Sequence, residues 1–152
     1  MTDFSVEDII HHSQKIEQES FAFYKSAEEK LKNKSLITLV QELAEAEIDH
    51  FNKLKSMLSE EKLSAKDLEA TVSLEEASLD MIVEVRNIPE NAEAGEILSI
   101  ALEREQKTKN LYQRLLAFTN ISEDLSSTFE YLVNQEAGHV IKIENKMKKE
   151  SL

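Results

Sequence analysis

The chain has 152 residues, enough for one domain with a hydrophobic core of its own. Two glycines, one proline and no cysteine exclude disulfides, thiolate metal sites, iron–sulfur clusters and thiol nucleophiles, and leave few residues that break helices. A formal net charge of -12 describes a surface that repels nucleic acid and anionic membranes, so neither is an expected partner.

The opening segment, MTDFSVEDII, has no basic n-region and no long apolar run, so no signal peptide is expected. No stretch approaches the roughly 20 apolar residues of a membrane span, and a cytoplasmic location is the expectation. Four long stretches then repeat apolar residues with helical spacing. The first covers 6–32, with Ser5 and Asp8 as a capping start and Ile9, Ile16, Phe23, Ala27 and Leu31 facing inward. Asn33 and Ser35 supply a turn and a cap. The second helix covers 36–58, with Leu36, Leu39, Val40, Leu43, Phe51, Leu54, Met57 and Leu58 inward.

The segment 59–92 is far longer than a hairpin needs. A 25-residue helix is roughly 37 Å long, so this segment can run the length of a bundle and return the chain to the opposite end. Within it, Ser73–Val85 reads as a short helix ended near Pro89. The third long helix covers 93–118, with Ile97, Leu98, Ala101, Leu111, Leu115 and Leu116 inward. A turn at Asn120–Asp124 leads to the fourth, 125–148, with Leu125, Phe129, Leu132, Val133, Val140, Ile143 and Met147 inward. The short links make each pair an antiparallel hairpin. The expectation is a single all-α domain over 1–152, a four-helix bundle whose two hairpins are joined by one long crossover.

The two hairpins repeat a pattern. Glu17 precedes Tyr24 by seven residues, and Glu105 precedes Tyr112 by seven; Glu47 and His50 form a Glu-x-x-His, and so do Glu136 and His139. On the second helix, Leu43, Glu47, His50 and Leu54 share one stripe, so Glu47 and His50 stand where apolar residues belong. Leu132, Glu136, His139 and Ile143 do the same on the fourth. Small residues flank Glu17 and Glu105 on their inward faces: Ser13, Ser20, Ala101 and Thr108.

Four carboxylates and two imidazoles therefore converge on one level of one core. Burying even one ionised carboxylate unpaired costs several kcal/mol, and a marginally stable domain cannot hold four. Two divalent cations remove the problem, and this donor set suits iron or manganese, and also zinc. A lone Glu-x-x-His usually faces solvent, but two on inward stripes, each matched by an inward Glu, do not. Tyr24 and Tyr112, if buried, need partners for their phenols, and a ligand carboxylate is the expected one. Glu19, Glu45, Glu103 and Glu144 fall off the stripes and belong to solvated faces. His11 and His12 lack partners at ligand spacing, and Met57, Met81 and Met147 read as packing residues.

Together EQESFAFY, EIDH, EQKTKNLY and EAGH resemble the ferritin-like superfamily, and most of all its rubrerythrin-type diiron domains; the match covers the four helices. The resemblance implies a ferritin-like bundle with two bound ions, most naturally iron, with manganese or zinc as alternatives. It implies Glu17 and Glu105 as terminal ligands, Glu47 and Glu136 as bridges, His50 and His139 as ligands to one ion each, and Tyr24 and Tyr112 as their hydrogen-bonding neighbours. It implies a homodimer and an oxidoreductase that reduces peroxide or dioxygen. Full-length rubrerythrins add a cysteine-ligated iron, which these residues cannot form, so an external electron donor such as a rubredoxin-like protein is expected. They also carry a further carboxylate near the site, where this chain has Thr108. The alternatives are a ferroxidase or other iron-handling protein, and a non-redox bundle stapled by its metal.

Overall fold

The computed structural model describes residues 2–60, 62–74, 87–117 and 121–152. In chain order the elements are β1 (Thr2–Ser5), α1 (Val6–Lys30), α2 (Lys34–Ser59), α3 (Ala65–Glu69), β2 (Thr71–Leu74), α4 (Ala94–Leu116) and α5 (Glu123–Lys149). Side-chain caps set three of the four long helices. Ser5 Oγ accepts from Asp8 N at 3.1 Å, Asn33 Oδ1 from Ser35 N and Leu36 N at 2.8 and 3.2 Å, and Ser122 Oγ from Leu125 N at 3.2 Å. Each bond satisfies backbone donors that a helix start leaves without partners.

The fold is the ferritin-like four-helix bundle. α1 packs on α2, α4 packs on α5, and the two hairpins meet through α1–α4 and α2–α5 contacts. The core falls into two apolar clusters. One joins Ile9, Ile10 and Ile16 of α1 to Leu54 and Met57 of α2, Leu111 and Leu115 of α4, and Leu125, Phe129 and Leu132 of α5. The other joins Phe23, Ala27 and Leu31 to Leu36, Leu39, Val40 and Leu43, to Ile97, Leu98 and Ala101, and to Ile143. The cluster memberships show that α1 and α5 run in one direction, and α2 and α4 in the other. α2 therefore ends at one end of the bundle and α4 begins at the other, which is why the connection must be long.

That connection differs from the expectation in its details. Its short helix is α3, opened by a capping box in which Ser64 and Asp67 bond reciprocally. Ser73 and Leu74 lie in a strand, not in the helix read over Ser73–Val85; residues 75–85 of that reading fall outside the described residues, as do Met81, Phe118 and Asn120. β1 and β2 pair antiparallel, Thr2 opposite Leu74 through Ser5 opposite Thr71, so a two-stranded ribbon adds to the expected all-helical architecture. Its strands come from segments about 70 positions apart in the chain, a pairing that helical periodicity cannot reveal. Asp67 is the crossover's anchor. Fully buried, it accepts from Ser122 N and Ser122 Oγ, both at 2.6 Å, and from Ser64 N at 3.0 Å. Burial acts to raise its pKa, but these hydrogen bonds outweigh burial and hold the carboxyl below its usual range.

Candidate metal centre

A polar layer separates the two apolar clusters. Glu17, Ser13 and Ser20 reach it from α1, Glu47 and His50 from α2, Glu105 and Thr108 from α4, and Glu136 and His139 from α5, and all are buried. The helices place them there by register alone. Each Glu-x-x-His puts both side chains on one face, and that face continues the stripe that packs the core above and below.

All six candidate ligands come together. His50 Nδ1 lies 3.0 Å from Glu136 Oε1, 3.4 Å from Glu17 Oε2 and 3.7 Å from Glu47 Oε2. His139 Nδ1 lies 3.4 Å from Glu105 Oε2, and 3.7 Å from Glu47 Oε1 and from Glu136 Oε2. The two rings stack with centroids 5.6 Å apart. Two groups of possible ligand atoms result, each spanning no more than 4.8 Å: Glu17, Glu47, His50 and Glu136, and Glu47, Glu105, Glu136 and His139. Glu47 and Glu136 belong to both.

The tyrosines are exchanged between the halves. Tyr24 of the first hairpin donates to Glu105 Oε1 of the second at 2.6 Å, and Tyr112 of the second donates to Glu17 Oε1 of the first at 2.6 Å. Both rings are fully buried. Burial, together with the neighbouring carboxylate charges, pushes both phenols well above their ordinary pKa, so they remain protonated donors. Each bond occupies one oxygen of a glutamate and turns the other toward the imidazoles.

The remaining atoms lack protein partners. Glu17 Oε2, Glu47 Oε1, both oxygens of Glu136, and Nδ1 of both histidines are buried without a hydrogen bond. Such atoms cost free energy unless something satisfies them. In the protein alone the charges are in conflict. Burial and the charges of Glu17 and Glu105 push Glu47 well above the usual carboxylate range. Burial works the same way on Glu17, but its close contacts with Glu47 and His50 outweigh it and hold the carboxyl low. Burial pulls His50 down, but contact with Glu17 outweighs it and raises the imidazole. Two dications fit this donor set: they would engage the orphaned oxygens and nitrogens and balance the four carboxylates.

The off-stripe acids lie outside this layer, with Glu45 and Glu144 exposed and Glu19 and Glu103 half-exposed; His11 is exposed as well. Sequence reading passed over Arg104, whose buried guanidinium donates to Ser20 Oγ at 3.3 Å. It also passed over Tyr131, whose half-exposed ring stands edge-on to His50 with centroids 6.4 Å apart. Position beside the ligand stripe was the available signal for Arg104; Tyr131 had none. No helix among the described residues is long and apolar enough to cross a membrane.

The family model described as rubrerythrin matches residues 8–147. Among solved structures, a Thermotoga maritima protein provisionally described as a ferritin-like diiron-carboxylate protein is similar, with a TM-score of 0.77, 20% identity, and coverage of 100% of this chain and 99% of that one. At that identity the likeness shows the fold. No curated protein matches this chain.

Proposed function

This chain belongs to the rubrerythrin family, and from that premise we propose that it is a diiron oxidoreductase that reduces peroxide or dioxygen with electrons from an external carrier. The observation that carries the reading is the sharing of Glu47 and Glu136 between two groups of buried ligand atoms, each completed by one glutamate and one imidazole. Glu17, Glu47, His50 and Glu136 would hold one ion, and Glu105, Glu47, Glu136 and His139 the other, with Glu47 and Glu136 as bridges.

When bound, the ions supply one-electron redox capacity and Lewis acidity toward an oxygen ligand. The protein supplies the rest. The four glutamates and two histidines would hold the ions, which when bound would supply a coordination position for an oxidant. Tyr24 and Tyr112 fix the orientation of Glu105 and Glu17. The apolar clusters on either side exclude bulk water from the layer. Reduction of peroxide to two waters consumes two electrons and two protons. With no cysteine among these residues, the electrons come from a donor such as a rubredoxin-like protein. A homodimer is the assembly the family resemblance implies, and sedimentation of the purified protein checks it.

The test combines metal analysis after anaerobic purification, the optical spectrum after exposure to air, and peroxide turnover. The reading expects two irons per chain, absorption of an oxo-bridged pair, and loss of turnover in Glu47→Ala. Zinc at full occupancy without that absorption, or turnover undiminished in the variant, refutes it. Iron oxidation by dioxygen without any peroxide turnover by a reduced carrier would assign the ferroxidase role instead.

A further inference from the structure

Arg104 is a buried cation that no carboxylate among the described residues meets. Arg104, one residue before Glu105 on α4, is only 6% exposed. Its guanidinium lies 5.3 Å from the centre of the Phe23 ring, its hydrogen bond to Ser20 Oγ is long, and its Nε is buried without a partner. No ion pair among the described residues includes it. An aromatic face and one neutral hydroxyl offset only part of the cost of burying a full charge. Buried arginines are ordinarily matched by an anion.

The side chain also lines a pocket of about 390 Å³, walled by Phe23 and Ser26 of α1 and by Asn87 and Ile88 ahead of α4, with half-exposed Glu19 on its lining. The volume is that of a small-molecule site, apolar in part with a few polar groups. We propose that this pocket binds a small monocarboxylate, whose carboxylate group pairs with Arg104.

The chemistry selects that class. A guanidinium presents parallel N–H donors that match the two oxygens of a carboxylate, and the Phe23 ring limits how its plane can turn. Glu19 is already negative, and the four-glutamate layer begins at Glu105, the next residue along. A phosphate dianion would meet twice the repulsion of a monoanion from both. Glu19 does not serve as the counter-ion itself, since it forms no ion pair with Arg104 in this structure. The methyl or alkyl part of the ligand would lie against Phe23 and Ile88. Binding at this pocket requires neither a particular metal nor a particular reaction, so it stands apart from the oxidoreductase reading.

Sodium acetate titrated into the full-length chain at constant ionic strength, followed by two-dimensional NMR, tests the proposal. Signals of Phe23, Ser26, Asn87 and the Arg104 Nε–H are expected to shift saturably, and Arg104→Gln to weaken the binding by about tenfold or more. Glu19→Gln, which removes the competing charge without touching the core, is expected to tighten it severalfold. Inorganic phosphate at equal ionic strength is expected to bind more weakly than acetate. Shifts that fail to saturate, an affinity unchanged in Arg104→Gln, an affinity unchanged or weakened in Glu19→Gln, or phosphate binding at least as tight as acetate would each overturn it.

Discussion

Removing and restoring metal should change the stability of the whole domain. The structure offers two groups of ligand atoms that share Glu47 and Glu136, so two ions would bind to the folded chain, and none of that geometry survives unfolding. A ligand present at about a hundred times its dissociation constant stabilises the folded state by ~2.7 kcal/mol per site, so two sites contribute ~5 kcal/mol. A domain of this size shifts its melting midpoint by ~2–4 °C for each kcal/mol, giving about 10–20 °C between the chelated and the loaded protein. Circular dichroism melts under anaerobic conditions, with ferrous iron or with zinc as a redox-inert substitute, read the shift directly. It should saturate at two equivalents. The pH dependence adds a second constraint. In the metal-free chain Glu47 is raised well above the carboxylate range and His50 is raised above its usual value. For both, the folded state holds its proton more tightly than the unfolded state does. Their contribution is therefore present at acid pH and lost as pH climbs through the raised values. Glu17, held low, contributes in the opposite sense and only around its ordinary range. The metal-free protein should accordingly lose stability from mildly acid pH toward and beyond neutrality, while the loaded protein, with its carboxylates and imidazoles committed to metal, should not. A midpoint that moves by less than about 2 °C on loading, or that saturates at one equivalent, would refute the argument.

Tyr112→Phe and Tyr24→Phe each delete one 2.6 Å bond to a glutamate; each should lower metal affinity by about 10–100-fold in competition with a chromophoric chelator, and affinities within about twofold of the parent would remove the orienting role. Asp67→Asn keeps the volume but weakens the acceptor of three hydrogen bonds at the crossover, which should cost ~1–3 kcal/mol in urea melts at neutral pH. Because the folded pKa of Asp67 is depressed, that stabilisation is present above the unfolded value and is lost as pH falls through the folded one. The gap between parent and variant should close in acid, and a gap that persisted there would contradict the assignment.

The four helices and the six converging polar residues were legible because both are written in a single local code. Apolar residues at helical spacing fix which face is buried, and Glu47, His50, Glu136 and His139 interrupt that spacing without shifting it, so their burial follows from neighbours such as Leu43, Leu54, Leu132 and Ile143. The ribbon of β1 and β2, the position of α3, and the anchoring of Asp67 to Ser122 were not legible for the converse reason. Each rests on contact between segments far apart in sequence and too short to show a period of their own. Asp67 looked like one more acid in an acidic crossover; only the meeting of that crossover with the cap of α5 makes it a buried acceptor. Arg104 escaped notice similarly, since one step from an inward position along a helix is normally the flank of the stripe, and Phe23 and Ser20 of another helix decide that it is buried.

The repeat in the sequence has a structural consequence beyond symmetry. Each hairpin carries one Glu-x6-Tyr and one Glu-x-x-His, and would suffice for a site of its own if its tyrosine served its own glutamate. The tyrosines instead cross over: Tyr24 holds Glu105, and Tyr112 holds Glu17. His50 likewise lies nearest to Glu136 of the other hairpin, at 3.0 Å. Neither hairpin therefore contains an oriented set of ligands, and the ligand layer exists only once both have docked. The docking in turn brings together four carboxylates that repel one another, so it is opposed by the very groups it assembles. Cations bound between the hairpins would convert that repulsion into attraction across the interface. Metal affinity and hairpin association would consequently be one equilibrium, and the stabilisation expected from metal would belong to the domain as a whole and not to a local loop.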